Sequence, residues 1–410
     1  MRASGVNQHK EASAMSRFWV GFDVGKASHW VCVLDEEGER LLSRRVDANE
    51  ADIEAALSEI EKMCAPGERM VGLDLTGGPA TLLEALLLDR GERVFRVSGI
   101  AVNRARAAYV GGERKSDPGD AQVIADQLRF RWRQLPEMRP ADERLAELRV
   151  LVSHRRGLGQ DNARRIVRLR ALLSGVFPAL EEALNLGKQG PLLAVTKVAT
   201  PAAARRLGEA RLSRWLKAKG VRKADDLARR IIAAAKGQRR ELPAAQAKAA
   251  LAAEIASEVL RAKERIAALE GRLEKLLATV PEAAIIRTLP GMGTCLTAEF
   301  LAEASDPGRF GSADRLAAAA GIAPVLRASG GSVHQRRAKR GNRVLKRVFY
   351  QSAFCSLVSS GASRAFYERK RKEGKAHKQA VIALARRRVN VLWAMLRDGR
   401  AYEEQSPEPA

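Results

Sequence analysis

Residues 18–26, FWVGFDVGK, and residues 70–78, MVGLDLTGG, are two apolar runs that each deliver an aspartate and then bend through glycine. Runs this short, bounded by turn residues, read as buried β-strands rather than helices. Outward from the first, apolar segments recur at Trp30–Leu34 and, after a polar turn at Asp35–Glu39, at Leu41–Val46. An amphipathic helix is expected at Ala51–Met63, a strand at Met70–Leu75, a helix at Ala80–Asp89 and a strand at Arg93–Val97. Three strands followed by β-α-β units predict a mixed α/β sheet whose first three strands form an antiparallel meander.

The remainder reads as mostly helical. Asp117–Arg131 predicts one helix, and Asp142–Phe177 a long one crowded with Arg155, Arg156, Arg164, Arg165, Arg168 and Arg170. Residues 178–248, rich in Ala, Lys and Arg with Gly and Pro breaks, offer no clear organisation. Ile255, Val259, Ala262, Ile266, Leu269, Leu273, Leu276 and Val280 then alternate spacings of four and three. That is a heptad seam, which suits a coiled-coil dimer, a helical hairpin or a long helix packed on its own domain. After Pro281, IIRTLPGMGTCLTAEFLAEA predicts helix, tight glycine turn, helix. A loop RASGGS, the basic run HQRRAKRGNRVLKR and two further helices close the chain.

The bulk composition narrows the partners. The chain has 410 residues, 72 Lys and Arg against 48 Asp and Glu, and a formal net charge of +24. Such an excess is the footprint of a nucleic-acid binder. No apolar run approaches the ~20 residues of a membrane span, and MRASGVNQHKEASAMSR carries no apolar secretory core, so a cytoplasmic protein without a membrane partner is expected. The scattered cysteines Cys32, Cys64, Cys295 and Cys355 predict free thiols rather than zinc ligands or disulfides.

Within this cationic chain sit four aspartates: Asp23 and Asp74 at strand ends, and Asp117 and Asp120 in KSDPGDA. Carboxylates brought together by tertiary structure supply the hard oxygen ligands that Mg²⁺ prefers. A strand-end aspartate beside a glycine bend suits a ribonuclease-H-like nuclease or an actin-like ATPase, and the adenosine and phosphate motifs of the second are missing. N-capping explains Asp117 as well as metal binding does, with Pro118 at the first helical position.

Taken together, FDVGKAS, GLDLTG and KSDPGDA resemble the motifs of the DEDD transposases of the Piv-invertase type, and LPGMGTCLTAEF through KRGNRVLKR resembles that family's second signature. The resemblance covers roughly residues 18–175 and 281–398. It implies a RuvC-like N-terminal domain and DNA transposition by recombination, guided by a structured non-coding RNA encoded by the insertion sequence. It also implies a catalytic and metal-binding quartet at Asp23, Asp74, Asp117 and Asp120, where Asp74 stands in place of the family's Glu, with Mg²⁺ or Mn²⁺ as cofactor. The family's nucleophilic serine matches Ser329, with Ser332 as fallback, and composite sites between subunits of a homodimer or tetramer are expected. The partners are then donor and target DNA and the guide RNA, gripped by Arg155, Arg156, Arg164, Arg165, Arg168, Arg336, Arg337, Lys339, Arg340, Arg343, Lys346 and Arg347.

The expected architecture is α+β. A tail at 1–16 precedes a ribonuclease-H-like domain at 17–177 and a helical connector at 178–280, with a coiled coil at 251–280. A mainly helical transposase domain at 281–398 and a tail at 399–410 follow. The alternatives are a metal-dependent nuclease or Holliday-junction resolvase using only the aspartates, and a non-catalytic nucleic-acid scaffold.

Overall fold

The computed structural model describes residues 17–65, 67–109, 114–139, 142–304, 310–329, 332–336 and 338–404. The expected tail at 1–16, Arg337 and residues 405–410 lie outside them. The chain divides into two compact units, Met1–Ala141 and Asp142–Ala410.

The first unit is built on strands β1 (Phe18–Val24), β2 (Ser28–Leu34), β3 (Arg40–Asp47), β4 (Arg69–Leu73) and β5 (Arg93–Arg96) in the order β3-β2-β1-β4-β5. The meander β1-β2-β3 is antiparallel as expected, whereas β1, β4 and β5 run parallel. Helices α1 (Glu50–Met63), α2 (Thr81–Asp89), α3 (Gly99–Arg106) and α4 (Asp117–Arg131) complete the unit. Side chains alternate along each strand, so the sheet feeds two cores. Val20, Phe22, Val31 and Val33 meet Ile53, Leu57, Leu83 and Leu87 of α1 and α2 on one face. Trp19, Cys32 and Leu34 meet Val102, Ile124 and Leu128 of α3 and α4 on the other. Burying each such aliphatic or aromatic side chain contributes roughly 1.5–3 kcal/mol.

The second unit starts earlier than expected. The long helix α5 (Glu143–Ser174) belongs to it and not to a domain ending at 177. The reason is its partner. Five helices follow it, α6 (Pro178–Ala183), α7 (Gln189–Lys197), α8 (Pro201–Leu207), α9 (Glu209–Ala218) and α10 (Ala224–Gly237), and then α11 (Ala245–Leu277) returns along α5. Leu148, Leu151 and Val152 share a core with Leu269, Leu273 and Leu277, while Leu169 and Leu173 share another with Ala249, Ile255 and Val259. The two helices are therefore antiparallel. The heptad seam packs inside its own unit, as the alternative of a long helix on its own domain anticipates, and α6–α10 organise residues 178–248 around its second core.

Around the first core gather α12 (Pro281–Thr288), α13 (Thr294–Ala304), α14 (Ala313–Ala319), α15 (Arg343–Ser359), α16 (Gly361–Lys372) and α17 (His377–Asp398). The expected loop RASGGS instead overlaps a two-stranded ribbon, β6 (Val325–Ser329) and β7 (Ser332–Arg336), with residues 330 and 331 outside the described ones. Gly321 and Gly341 close its base. Both have positive φ (64° and 122°), and a Cβ on Gly341 would lie 2.5 Å from the Gly321 nitrogen. Only two glycines let the incoming and outgoing backbones cross so closely.

Candidate active site

Two parallel strands place the first two carboxylates. Phe22 pairs with Leu73, so Asp23 and Asp74 follow side by side at the C-terminal ends of β1 and β4. The Val24 N–H donates to Asp74 Oδ1 at 3.1 Å, tying the two strand ends together. Two residues before each aspartate, on the same strand face, lies a glycine. A Cβ on Gly21 would meet the Ala121 carbonyl oxygen at 2.2 Å and the Ala125 nitrogen at 2.6 Å; one on Gly72 would meet Leu128 Cδ1 at 2.7 Å. Helix α4 thus lies on bare strand backbone, which brings its first turn down toward the strand ends.

That turn carries the other two aspartates. Ser116, not Asp117, is the N-cap, its hydroxyl accepting from the Gly119 N–H at 3.3 Å. Asp117 is an exposed first helical residue, which removes capping as its explanation. Asp120 is only 4% exposed and is gripped by Arg106 of α3, whose Nη1 donates to Oδ1 at 2.6 Å and Oδ2 at 2.8 Å. The other terminal nitrogen of Arg106 donates to Asn103 Oδ1 at 2.6 Å.

The electrostatics couple all four. Burial first, then the charges of Asp74, Asp120 and Asp117, push the Asp23 carboxyl up to about 7 against the opposing pull of Lys115. Burial also raises Asp74, opposed by the N–H groups of Val24, Asp74 and Leu75, with Asp120 raising it further. A carboxylate destabilised by desolvation and by its neighbours is one that a cation stabilises. All-oxygen donors of this kind fit Mg²⁺ or Mn²⁺ in chemistry. Among the described residues, however, no three His, Cys, Asp or Glu side chains stand in metal-holding geometry. Asp120 is engaged by Arg106 instead.

The second unit holds the other expected residues. Ser329 ends β6, in register with Ser332 across the ribbon; the side chains of both lie outside the described set. Below the ribbon, Arg336, Lys339, Arg340, Arg343 and Lys346 line one basic cleft. Lys346 also donates to the Gly321 carbonyl at 2.9 Å. Lys339–Arg347 is not one helical face: Asn342 caps α15, accepting from the Val344 and Leu345 N–H groups at 2.8 and 3.1 Å.

The arginines of α5 divide into two kinds. Arg155 donates to Glu270 at 3.0 Å, Arg165 to Glu258 at 3.1 Å, and Arg156 lies 3.9 Å from Glu303. These pairs stitch α5 to α11 and α13, and Arg347 pairs with the buried Glu299. Arg164 and Arg168 face solvent, Arg164 with Asp161 of its own helix beside it. Arg106, Gly21, Gly72 and Glu299 escaped the sequence reading. A glycine two residues before each strand-end aspartate was the one visible signal.

Comparison with known proteins gives consistent matches across both units. Residues 20–178 match a DEDD transposase family of the IS110 type, and residues 283–389 match the transposase IS116/IS110/IS902 family. The chain is 43% identical over 395 residues to the uncharacterized 44.8 kDa protein of insertion element IS116 from Streptomyces clavuligerus, covering 95% of this chain and 97% of that protein. It is 41% identical over 387 residues to the 42 kDa protein of insertion element IS900 from Mycobacterium paratuberculosis, covering 94% and 96%. A pilin gene-inverting protein from Moraxella bovis is 29% identical over 154 residues, covering 35% of this chain and 47% of that one.

Proposed function

The chain belongs to the IS116/IS110/IS902 family of transposases and is a DNA-transposing enzyme; from that premise we propose that it cuts and exchanges DNA strands through a phosphoserine link at Ser329, with a divalent cation held by Asp23, Asp74, Asp117 and Asp120. The observation that carries the reading is the convergence of four carboxylates from the ends of β1 and β4 and the start of α4, where burial first and then the neighbouring charges push the Asp23 carboxyl up to about 7. The mixed sheet supports a ribonuclease-H-like, RuvC-like description of the first unit.

In the proposed reaction the Ser329 hydroxyl loses its proton and its oxygen bonds to a DNA phosphorus. The bond from that phosphorus to a deoxyribose oxygen breaks, and the released oxygen takes up a proton. The guanidinium and ammonium groups of the basic cleft neutralise charge on the phosphate as it reacts. Bound Mg²⁺ or Mn²⁺ would supply Lewis-acid stabilisation of attacking and leaving oxygens. Asp74 keeps the hard carboxylate of the quartet with one methylene fewer than the Glu expected there. Guidance by a structured non-coding RNA and assembly as a homodimer or tetramer complete the proposal. Exposed Arg164 and Arg168 on α5 suit an RNA backbone read by shape and charge.

Trapping a covalent protein–DNA adduct tests it. Wild type with Mg²⁺ should form the adduct, and Ser329→Ala and Asp120→Asn should not. Recombination by Ser329→Ala would sink the phosphoserine step and leave a nuclease that uses only the aspartates. Normal strand exchange by Asp23→Asn would sink the metal site.

A further inference from the structure

Arg106 is the one cation that directly engages the aspartate cluster among the described residues, and it does so from a fixed position. It lies in the last turn of α3, with one terminal nitrogen on both oxygens of Asp120 and the other on Asn103 Oδ1. Both ion-pair partners are poorly exposed, 16% and 6% by side chain. Asp120 is thereby ion-paired, whereas Asp23 takes part in no ion pair among the described residues. Arg cannot lose its proton at any accessible pH, so its charge leaves the cluster only by movement of the side chain.

We propose that Arg106 is an internal counter-ion, holding Asp120 in place of a divalent cation and giving it up when the cation binds. The inference rests on the metal reading above and concerns this chain's own ion pair. A carboxylate oxygen chelated by a guanidinium cannot also ligate a cation at full strength, and a fixed positive charge beside the site opposes the incoming one. The observed affinity is then the intrinsic affinity reduced by the fraction of molecules in which Asp120 is free. The device keeps the acidic cluster folded when no cation is present. It also predicts that weakening the ion pair tightens metal binding, the reverse of what a residue that builds the site would show.

The experiment is calorimetric titration of the full-length chain, stripped of nucleic acid, with Mn²⁺ alone. Arg106→Ala should bind Mn²⁺ about tenfold more tightly than wild type, equivalent to roughly 1.4 kcal/mol. Asn103→Ala, which leaves the ion pair but removes its brace, should shift affinity the same way by less. It serves if Arg106→Ala folds poorly. In thermal melts without metal, Arg106→Ala should be the less stable protein, and Mn²⁺ should raise its midpoint more than that of wild type. Unchanged or weaker Mn²⁺ binding by both variants would overturn the inference. If neither wild type nor any variant binds Mn²⁺, and Asp23→Asn gives the same flat titration, the metal reading itself falls.

Discussion

Gly21 of β1 and Ala121 of α4 are in such close approach that a methyl group on the glycine would sit 2.2 Å from the alanine carbonyl oxygen. The obstacle is helix backbone, which cannot swing aside as a side chain can. Gly21→Ala should therefore force α4 off the sheet and cost at least about 3 kcal/mol, at the upper end of overpacking. Gly72→Ala, whose nearest neighbour is the movable Leu128 Cδ1 at 2.7 Å, should cost clearly less. Chemical denaturation of the two variants checks the ranking, and equal losses would refute it.

Asp23 sits where function and stability oppose each other. Its carboxyl is raised to about 7, so its protonated form is favoured in the folded state between its unfolded value near 4 and that point. Over that window the metal-free protein loses stability as pH rises, and above it the loss is complete. Asp23→Asn should thus melt several degrees higher than wild type at pH 8 without metal, the gap closing toward pH 4. Thermal melts across pH measure it.

His29 on β2 is 2% exposed, and neither ring nitrogen has a hydrogen-bond partner. Burial lowers its proton affinity below the ordinary imidazole value. The unfolded chain then binds the extra proton first, so stability is full above about pH 6.5 and falls as pH drops below it. His29→Leu should flatten this acid limb. An unchanged limb would exclude His29 as its origin.

Glu299 of α13 is 1% exposed and carries the Arg347 ion pair, with Arg155 4.0 Å away. Removing it strips Arg347 of its partner, but that guanidinium is 46% exposed and stays hydrated. Glu299→Ala should therefore destabilise the second unit by about 1–3 kcal/mol, the scale of a lost charge-assisted hydrogen bond. Urea unfolding would register this as a lower midpoint.

The basic cleft should show its role through salt rather than affinity alone. Each phosphate contact contributes close to one unit to the slope of log affinity against log salt. Lys339→Ala with Arg343→Ala should lower that slope by about 2 on duplex DNA of any sequence. A slope equal to wild type would assign the cleft to something other than a phosphate backbone.

Much of the first unit was legible because its strands are short apolar runs between turns, and α4 was bounded by Ser-Asp-Pro at one end and Arg131 at the other. The aspartates were legible for the same reason: strand ends and a helix start are local features. What escaped depended on distant partners. The end of the first unit at 141 reflects α5 pairing with a helix about a hundred residues later, which no local window contains. Helices α6–α10 hid because most are short and separated by Gly and Pro breaks, so none sustains a long period, and Leu192, Leu212, Leu216, Leu227 and Ile231 gather into one core only in the tertiary fold. The ribbon β6–β7 read as a loop because VLRAS and SVHQR lack apolar alternation. Arg106 stayed invisible because its partner lies fourteen positions on, across the α3–α4 packing.

The antiparallel pairing of α5 and α11 also imposes an order of assembly. Leu148 and Leu151 cannot find Leu273 and Leu277 until translation has passed the end of α11, whereas the first unit is complete by residue 141. Domains fold as units while the chain is synthesised at about 5–20 residues per second. The N-terminal unit therefore folds first. For several seconds afterwards the nascent chain displays α5 as an unpaired, arginine-studded segment, open to any polyanion near the ribosome.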